Sequence, residues 1–422
     1  MRRLNAVTMA WAALRHKPLS SALNLLLMAI GVAMMTFLLS SSHQLEEGAL
    51  TDAQGIDMVV GAKGSPLQLI LSSIYHVDIP TGNIPASAQA ELSANPMVAQ
   101  VIPLALGDSY QGFRIVGSTV EYVRNYGGRA ASGVLFGAPM QVVLGAEVAK
   151  RTGAVLGKRF AGSHGLVAGG EVHAHAPYTV VGILEPTGSV LDRLIVTPVA
   201  SVWRVHETDP DEESHEHGNV NADGDAHDAK VQAHAAAAPE GAREVTALLV
   251  RYASPMAAMS LPRWVNGQTR LQAAQPAFEA AKLFQLLGVG TDVLRAIAMI
   301  VLAVACLSMF VALYHALEER KTDLAILRAL GAPPRKLLQL LLTQGLLLSC
   351  CGAVLGWLLG HAGVGLLGAM MVGQQNLALS AWQVSGQEAW LLLLALLVGL
   401  LAAVLPAVRA YRTDIAATLA RS

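Results

Sequence analysis

Cysteine is missing from the longest polar stretch of this chain. Its three cysteines, Cys306, Cys350 and Cys351, fall in apolar runs, and residues 43–290 hold none. A disulfide framework is therefore excluded there. The three thiols read as small core or lipid-facing side chains. Charge is also scarce: 14% of residues are Asp, Glu, Lys or Arg, against 53% hydrophobic. A soluble protein of this size carries more charge. The formal net charge is −1, which gives a nucleic-acid partner no electrostatic support.

Catalytic signatures are absent too. No G-x-x-x-x-G-K-[ST] nucleotide loop occurs, and Gly61-Ala62-Lys63-Gly64-Ser65 has the residue types at the wrong spacing. Neither H-E-x-x-H nor G-x-S-x-G occurs. Glu185, Asp192 and His164 have no spacing that makes them an active site. The chain reads as a non-catalytic subunit. No residue from Leu337 to Gln387 is charged. Ion-driven carriers place ionisable residues inside their spans, so energy is expected from outside the bilayer.

What the chain does have is long apolar runs. Crossing the hydrocarbon core takes about 20 apolar residues. Four segments qualify: 19–42, 296–317, 337–372 and 389–408. The first is longer than a signal-peptide core, so an uncleaved anchor is expected. Lys and Arg cluster in residues 1–18, in 318–336 and in the tail 409–422. By the positive-inside rule these are cytoplasmic. Four crossings follow, with both termini inside and residues 43–290 outside, in the periplasm or its equivalent. The expected fold is therefore a membrane α-helical protein with four transmembrane helices. A large α+β extracytoplasmic domain is inserted between helices 1 and 2. The polar link Gln374-Gln375-Asn376 falls in the short outer loop between spans three and four. Gly352, Gly356 and Gly360 recur every fourth residue in span three. Such spacing lets two helix backbones approach closely in lipid, within the chain or across a dimer. His361 beside them reads as a satisfied structural residue.

In the outer region, strands are expected at Phe113–Gly117, Gln141–Gly145, Tyr178–Leu184, Leu191–Val196 and Val245–Tyr252. Helices are expected at Glu147–Leu156 and Ser254–Ala281. Residues 206–241 are rich in His, Asp, Glu, Ala and Gly, which predicts a poorly ordered loop. Imidazoles with carboxylates suit zinc or another transition metal. The candidate ligands are His173, His175, His206, His215, His217, His227 and His234. Their spacing fits no closed tetrahedral motif.

The most specific segment lies between the second and third spans. Glu318-Glu319-Arg320-Lys321-Thr322-Asp323-Leu324-Ala325-Ile326-Leu327-Arg328-Ala329-Leu330-Gly331-Ala332 is charged and helix-compatible. Leu324, Leu327 and Leu330 lie three apart and share a face, while Arg320, Lys321 and Arg328 can reach polar partners. Gly331 with Pro333-Pro334 ends one helix and starts the next.

This connector, the four-span topology and the tail Pro406-Ala407-Val408-Arg409-Ala410-Tyr411-Arg412-Thr413-Asp414 resemble the MacB/FtsX/LolC-E type of ABC transporter permease. Val143-Leu144-Gly145 and Tyr178–Leu184 with Pro186-Thr187-Gly188 resemble the MacB-like periplasmic core. Ile415 and Gln344 stand where the family commonly has Pro and an acidic residue. The resemblance implies a dimeric permease, with a second copy of this chain or a related one. It implies a separate cytoplasmic ABC ATPase dimer that binds the ATP, and mechanotransmission to the outer domain. The ATPase-coupling residues would be Glu319, Arg320, Lys321, Asp323, Leu324, Leu327, Arg328, Leu330 and Gly331. A periplasmic adaptor or substrate-binding protein is a candidate partner. Two alternatives stand beside this one: signalling to a cell-wall hydrolase, as in the FtsX branch, and lipoprotein release, as in the LolC/E branch.

Overall fold

The structure is a computed structural model that describes residues 6–165, 176–207, 243–319, 333–371 and 379–412. The connector residues Arg320–Ala332 lie outside the described residues. So do His173, His175, His215, His217, His227, His234, the Gln374-Gln375-Asn376 link and the tail beyond Arg412. The chain divides into two units. One holds residues up to Glu46 with Gln285–Val372 and Leu377–Ser422; the other holds Glu47–Phe284 with Gly373–Asn376.

The chain enters through helix α1 (Ala6–His16) and helix α2 (Pro18–Asp52). The outer unit then alternates short strands and helices: β1 (Met58–Ala62), α3 (Pro66–Ser73), β2 (Ile84–Pro85) and α4 (Ser87–Ser93). Next come β3 (Val98–Tyr110), β4 (Phe113–Ser118), α5 (Val120–Asn125), β5 (Ala130–Gly133) and β6 (Gln141–Leu144). α6 (Ala146–Thr152), β7 (Arg159–Phe160), β8 (Ser163–His164) and β9 (Tyr178–Leu184) follow. β10 (Ile195–Pro198), α7 (Val199–Glu207), β11 (Glu244–Val245), β12 (Ala247–Tyr252), α8 (Ala257–Asn266) and β13 (Leu271–Ala274) complete it. Three long helices remain: α9 (Pro276–Glu319), α10 (Pro334–Met371) and α11 (Gly386–Arg412).

The main sheet of the outer unit runs in the order β13-β1-β12-β3-β4-β10-β6-β9-β5. Most neighbours are antiparallel, but β4–β10 and β6–β9 are parallel. The thirteen-residue β3 pairs with β12 through its first half and with β4 through its second. The β3–β4 ladder is irregular between Leu106 and Ser109. Both faces of the sheet are covered, and the period of two shows it. Val59 and Leu249 pack into one core, while their neighbours Met58, Val60, Leu248 and Val250 pack into the other. Around β4, β6 and β9 a third cluster gathers Phe113, Ile115, Val142, Leu144, Phe160, Tyr178 and Val180.

Three expected elements are corrected. Ser254–Ala281 is not one helix: α8 stops at Asn266, and Leu271–Ala274 is a strand paired antiparallel with β1. The Asn266 side chain accepts a hydrogen bond from the Ala273 amide at 2.7 Å, which holds the reversal. Pairing at the sheet edge outweighs the helical preference of Leu-Gln-Ala-Ala. Leu191–Val196 begins as a 3-10 turn over Val190–Arg193, capped by Ser189, and only Ile195–Pro198 is strand. The helix expected to reach Leu156 ends at Thr152, because Gly153 adopts φ +60° and closes it.

Among the described residues, four helices are long and apolar enough to cross a membrane: Pro18–Asp52, Pro276–Glu319, Leu338–Met370 and Gly386–Val408. Pro18–Asp52, Pro276–Glu319 and Gly386–Val408 extend beyond the apolar runs that announced them, since helical backbone continues into polar flanks, while Leu338–Met370 lies within 337–372. They pack around Met28, Val32, Ala298, Leu302, Ala305, Met309, Ala353, Ala395 and Ala403. Large apolar side chains also cover the outside, among them Leu19, Leu286, Val289, Leu366 and Leu401. Lipid is the environment that suits such an exterior.

Candidate functional site

The described residues that flank the connector are Glu319, which ends α9, and Pro333, followed by Pro334, which opens α10. Pro suits a first helical position, where its missing amide hydrogen costs nothing. Glu319 forms an ion pair with Lys17, which stands between α1 and α2. Both side chains are exposed to solvent, so the pair fixes geometry more than it adds stability. A cavity of about 70 Å³ lies beside it, lined by Lys17, Ser20, Ser21, Asn24 and Gln344 and by leucines of α9 and α10. Asn24 is buried and accepts a hydrogen bond from Ser308 at 2.7 Å.

The structure brings all three glycines of the four-residue repeat against α2 of the same chain. A Cβ at Gly352 would lie 2.8 Å from the Met28 Cβ, and one at Gly360 would lie 2.6 Å from the Thr36 Cβ. At Gly356 it would lie 2.5 Å from the Ala29 carbonyl oxygen, a backbone atom that cannot swing away. A second seam joins α10 to α11. There a Cβ on Gly345 would meet Ala403 at 2.7 Å, and one on Gly399 would meet Ser349 at 2.3 Å. Sequence reasoning missed it, although Gly345/Ser349 and Gly399/Ala403 are again four apart.

The apolar runs also hold a buried ionisable pair, which corrects the expectation that none is present. Glu388, in the first turn of α11, is 1% exposed. One of its oxygens accepts the Trp357 indole N–H at 2.7 Å and lies 2.8 Å from His361 Nε2. Its other oxygen accepts from the Ser385 amide and hydroxyl. His361 is thus a satisfied structural partner at Nε2. The three cysteines are free thiols, with Cys350 and Cys351 exposed on the apolar exterior.

In the outer unit Asp52, the last residue of α2, joins three separate partners. Its carboxylate accepts the Val190 amide at 2.5 Å and Arg193 at 3.1 Å. Its backbone carbonyl accepts the Tyr126 hydroxyl at 2.8 Å. The end of α2 is therefore tied to the 3-10 turn and to α5. Nearby, His76 is buried, adopts φ +56° and bonds the Tyr122 hydroxyl through Nε2 at 3.0 Å. Burial holds its pKa well below the usual histidine value, and the positive charges of Arg114 and Arg193 add to this. Burial likewise lowers Arg114 to about 10. Of the candidate metal ligands only His206, in α7, falls among the described residues. Among those residues no three His, Cys, Asp or Glu side chains gather as a metal would need.

Comparison with known families settles what this architecture is. Residues 21–244, more than half of the 422, match the MacB-like periplasmic core domain. Residues 295–415 match the FtsX-like permease C-terminal domain. The chain belongs to the MacB/FtsX family of ABC transporter permeases. No curated protein matches it. Several solved structures are similar to parts of it, two of them as follows. The periplasmic region of MacB from Actinobacillus actinomycetemcomitans is 14% identical, with a TM-score of 0.34, covering 56% of this chain and 97% of that one. The extracellular domain of the noncanonic ABC-type transporter YknZ from Gram-positive bacteria is 13% identical, with a TM-score of 0.29, covering 52% of this chain and 99% of that one.

In this MacB/FtsX-type permease the two matched regions follow the chemistry already described. The FtsX-like match spans α9, α10 and α11, which carry the glycine seams and the Glu388 pair. The MacB-like match begins within α2 and takes in the Asp52 anchor. Permeases of this family generally are not themselves catalytic and work with an ABC ATPase.

Proposed function

We propose that this permease couples ATP hydrolysis on a separate ATPase dimer to motion of its α+β domain on the far side of the inner membrane. The observation that carries the reading is the anchorage of Asp52. Helix α2 is one of the four apolar helices, and its last residue is held inside the outer unit by Val190, Arg193 and Tyr126. An α-helix is stiff along its axis, so displacement of α2 would be delivered to the 3-10 turn rather than absorbed. The absence of a P-loop motif from the sequence supports an ATPase in trans. The basic segments 1–18, 318–336 and 409–422 support a cytoplasmic placement of both termini.

In this reading the connector after Glu319 is the docking element. Leu324, Leu327 and Leu330 would enter a groove of the ATPase, as short apolar-faced helices commonly do. The test is co-purification of the ATPase with the full-length permease. Leu327→Asp or Leu330→Asp should abolish it while leaving permease yield unchanged. Retention of the ATPase by both variants would overturn the coupling role.

A further inference from the structure

Helix α1 has one face turned inward and one left uncovered. Ala10 is fully buried, and Leu14 packs against the apolar core shared with α2 and α9. The Ser21 hydroxyl donates to the Leu14 carbonyl at 3.0 Å, fixing the angle between α1 and α2. The outer face carries Met9 and Trp11, 39% and 48% exposed. The Arg15 guanidinium sits 5.4 Å from the Trp11 ring centroid. Arg15 and His16 are exposed in the last turn, and Lys17 is engaged by Glu319.

Two observations say what covers this face. The first is continuity. Leu19, Leu23, Leu26 and Ile30 form an exposed stripe on α2 at helical spacing, starting directly after α1. The second is charge. No acidic residue precedes Glu46, while Arg2, Arg3, Arg15 and Lys17 are all basic. A tryptophan with a stacked arginine, next to an apolar stripe and without acidic neighbours in sequence, suits the headgroup zone of an anionic leaflet. The indole sits at the boundary, and the cations meet phosphate.

We propose that α1 lies in the lipid headgroup region and binds anionic phospholipid through Trp11, Arg15 and His16. The inference rests on the reading that α2 crosses the membrane.

The test uses the full chain in lipid nanodiscs, with Cys306, Cys350 and Cys351 replaced by serine. One environment-sensitive fluorophore is attached at Ala12→Cys on the exposed face, or at Leu23→Cys on the α2 stripe. In discs with about 30% phosphatidylglycerol, the label at 12 should shift to the blue and be quenched by nitroxide placed near the lipid headgroup. It should respond weakly in purely zwitterionic discs. With Arg15→Glu and His16→Glu together, the mole fraction of anionic lipid for half the shift should rise at least about five-fold. Equal quenching in both lipid compositions would overturn the anionic preference. A label at 12 that lipid nitroxide does not reach, with Leu23→Cys quenched, overturns the α1 placement and leaves the spanning role of α2 intact. Loss of lipid quenching at both positions overturns both.

Discussion

Replacing Asp52 with Asn asks whether the end of α2 is held by charge or only by shape. The amide oxygen of Asn can still accept the Val190 N–H, so local geometry survives. What is lost is the charge opposite Arg193, whose side chain is 16% exposed, against 10% for Asp52. A fully buried ion pair broken on one side costs about 3–5 kcal/mol. With this partial exposure, about 2–3 kcal/mol is expected for Asp52→Asn, and about 2 kcal/mol for Arg193→Met. The double variant leaves neither charge uncompensated, so it should cost about 2 kcal/mol in total, a coupling of about 2 kcal/mol. The assay is denaturant unfolding of the detergent-solubilised full chain, followed by Trp203 and Trp264, the tryptophans of the outer unit. Hydrogen exchange at Val190, whose amide bonds Asp52, gives a local readout. Effects that add to within about 0.5 kcal/mol would refute the argument that this pair is electrostatically coupled.

Two further outcomes follow from other contacts. Gly356→Val should destabilise the packing of α10 on α2 by about 1–3 kcal/mol, because the Ala29 carbonyl at 2.5 Å cannot yield. Gly290→Ala, where a Cβ meets nothing within 4 Å, should not lower the detergent melting temperature. Equal behaviour of the two variants would show that the seam does not constrain the bundle. For His76 the sign is fixed by its depressed pKa. Stability is complete above the unfolded value of about 6.5 and is lost as pH falls below it, because only the unfolded state then takes up the proton. The loss should deepen in the outer unit as pH falls from about 6.5 toward about 5. His76→Asn tolerates the left-handed backbone and should remove this part of the pH dependence; identical profiles for both proteins would count against a buried neutral imidazole.

Each feature was legible in the sequence to the extent that its cause is local. The four apolar runs are visible because lipid demands a continuous length of apolar side chains, and no distant residue can substitute for them. The glycine repeat at Gly352, Gly356 and Gly360 is visible for the same reason: close approach needs small residues one turn apart. Its partner helix was not, since Met28, Ala29 and Thr36 are unremarkable side chains on an apolar helix. The pairings that join distant segments stayed hidden. Asp52 meets Arg193 across 141 positions, and Glu388 meets His361 across 27. In the sequence each of these is a single charged or titratable residue with nothing beside it to name its partner. Leu271–Ala274 shows the same limit in a strand, because only its place beside β1 makes it one. The motif that identified the family and the contacts that anchor α2 thus carry different information. The segment proposed to dock would have to be recognised by a separate protein, so its pattern is compact and local. The Asp52 anchor has to join elements far apart in the chain, so only the fold brings its members together.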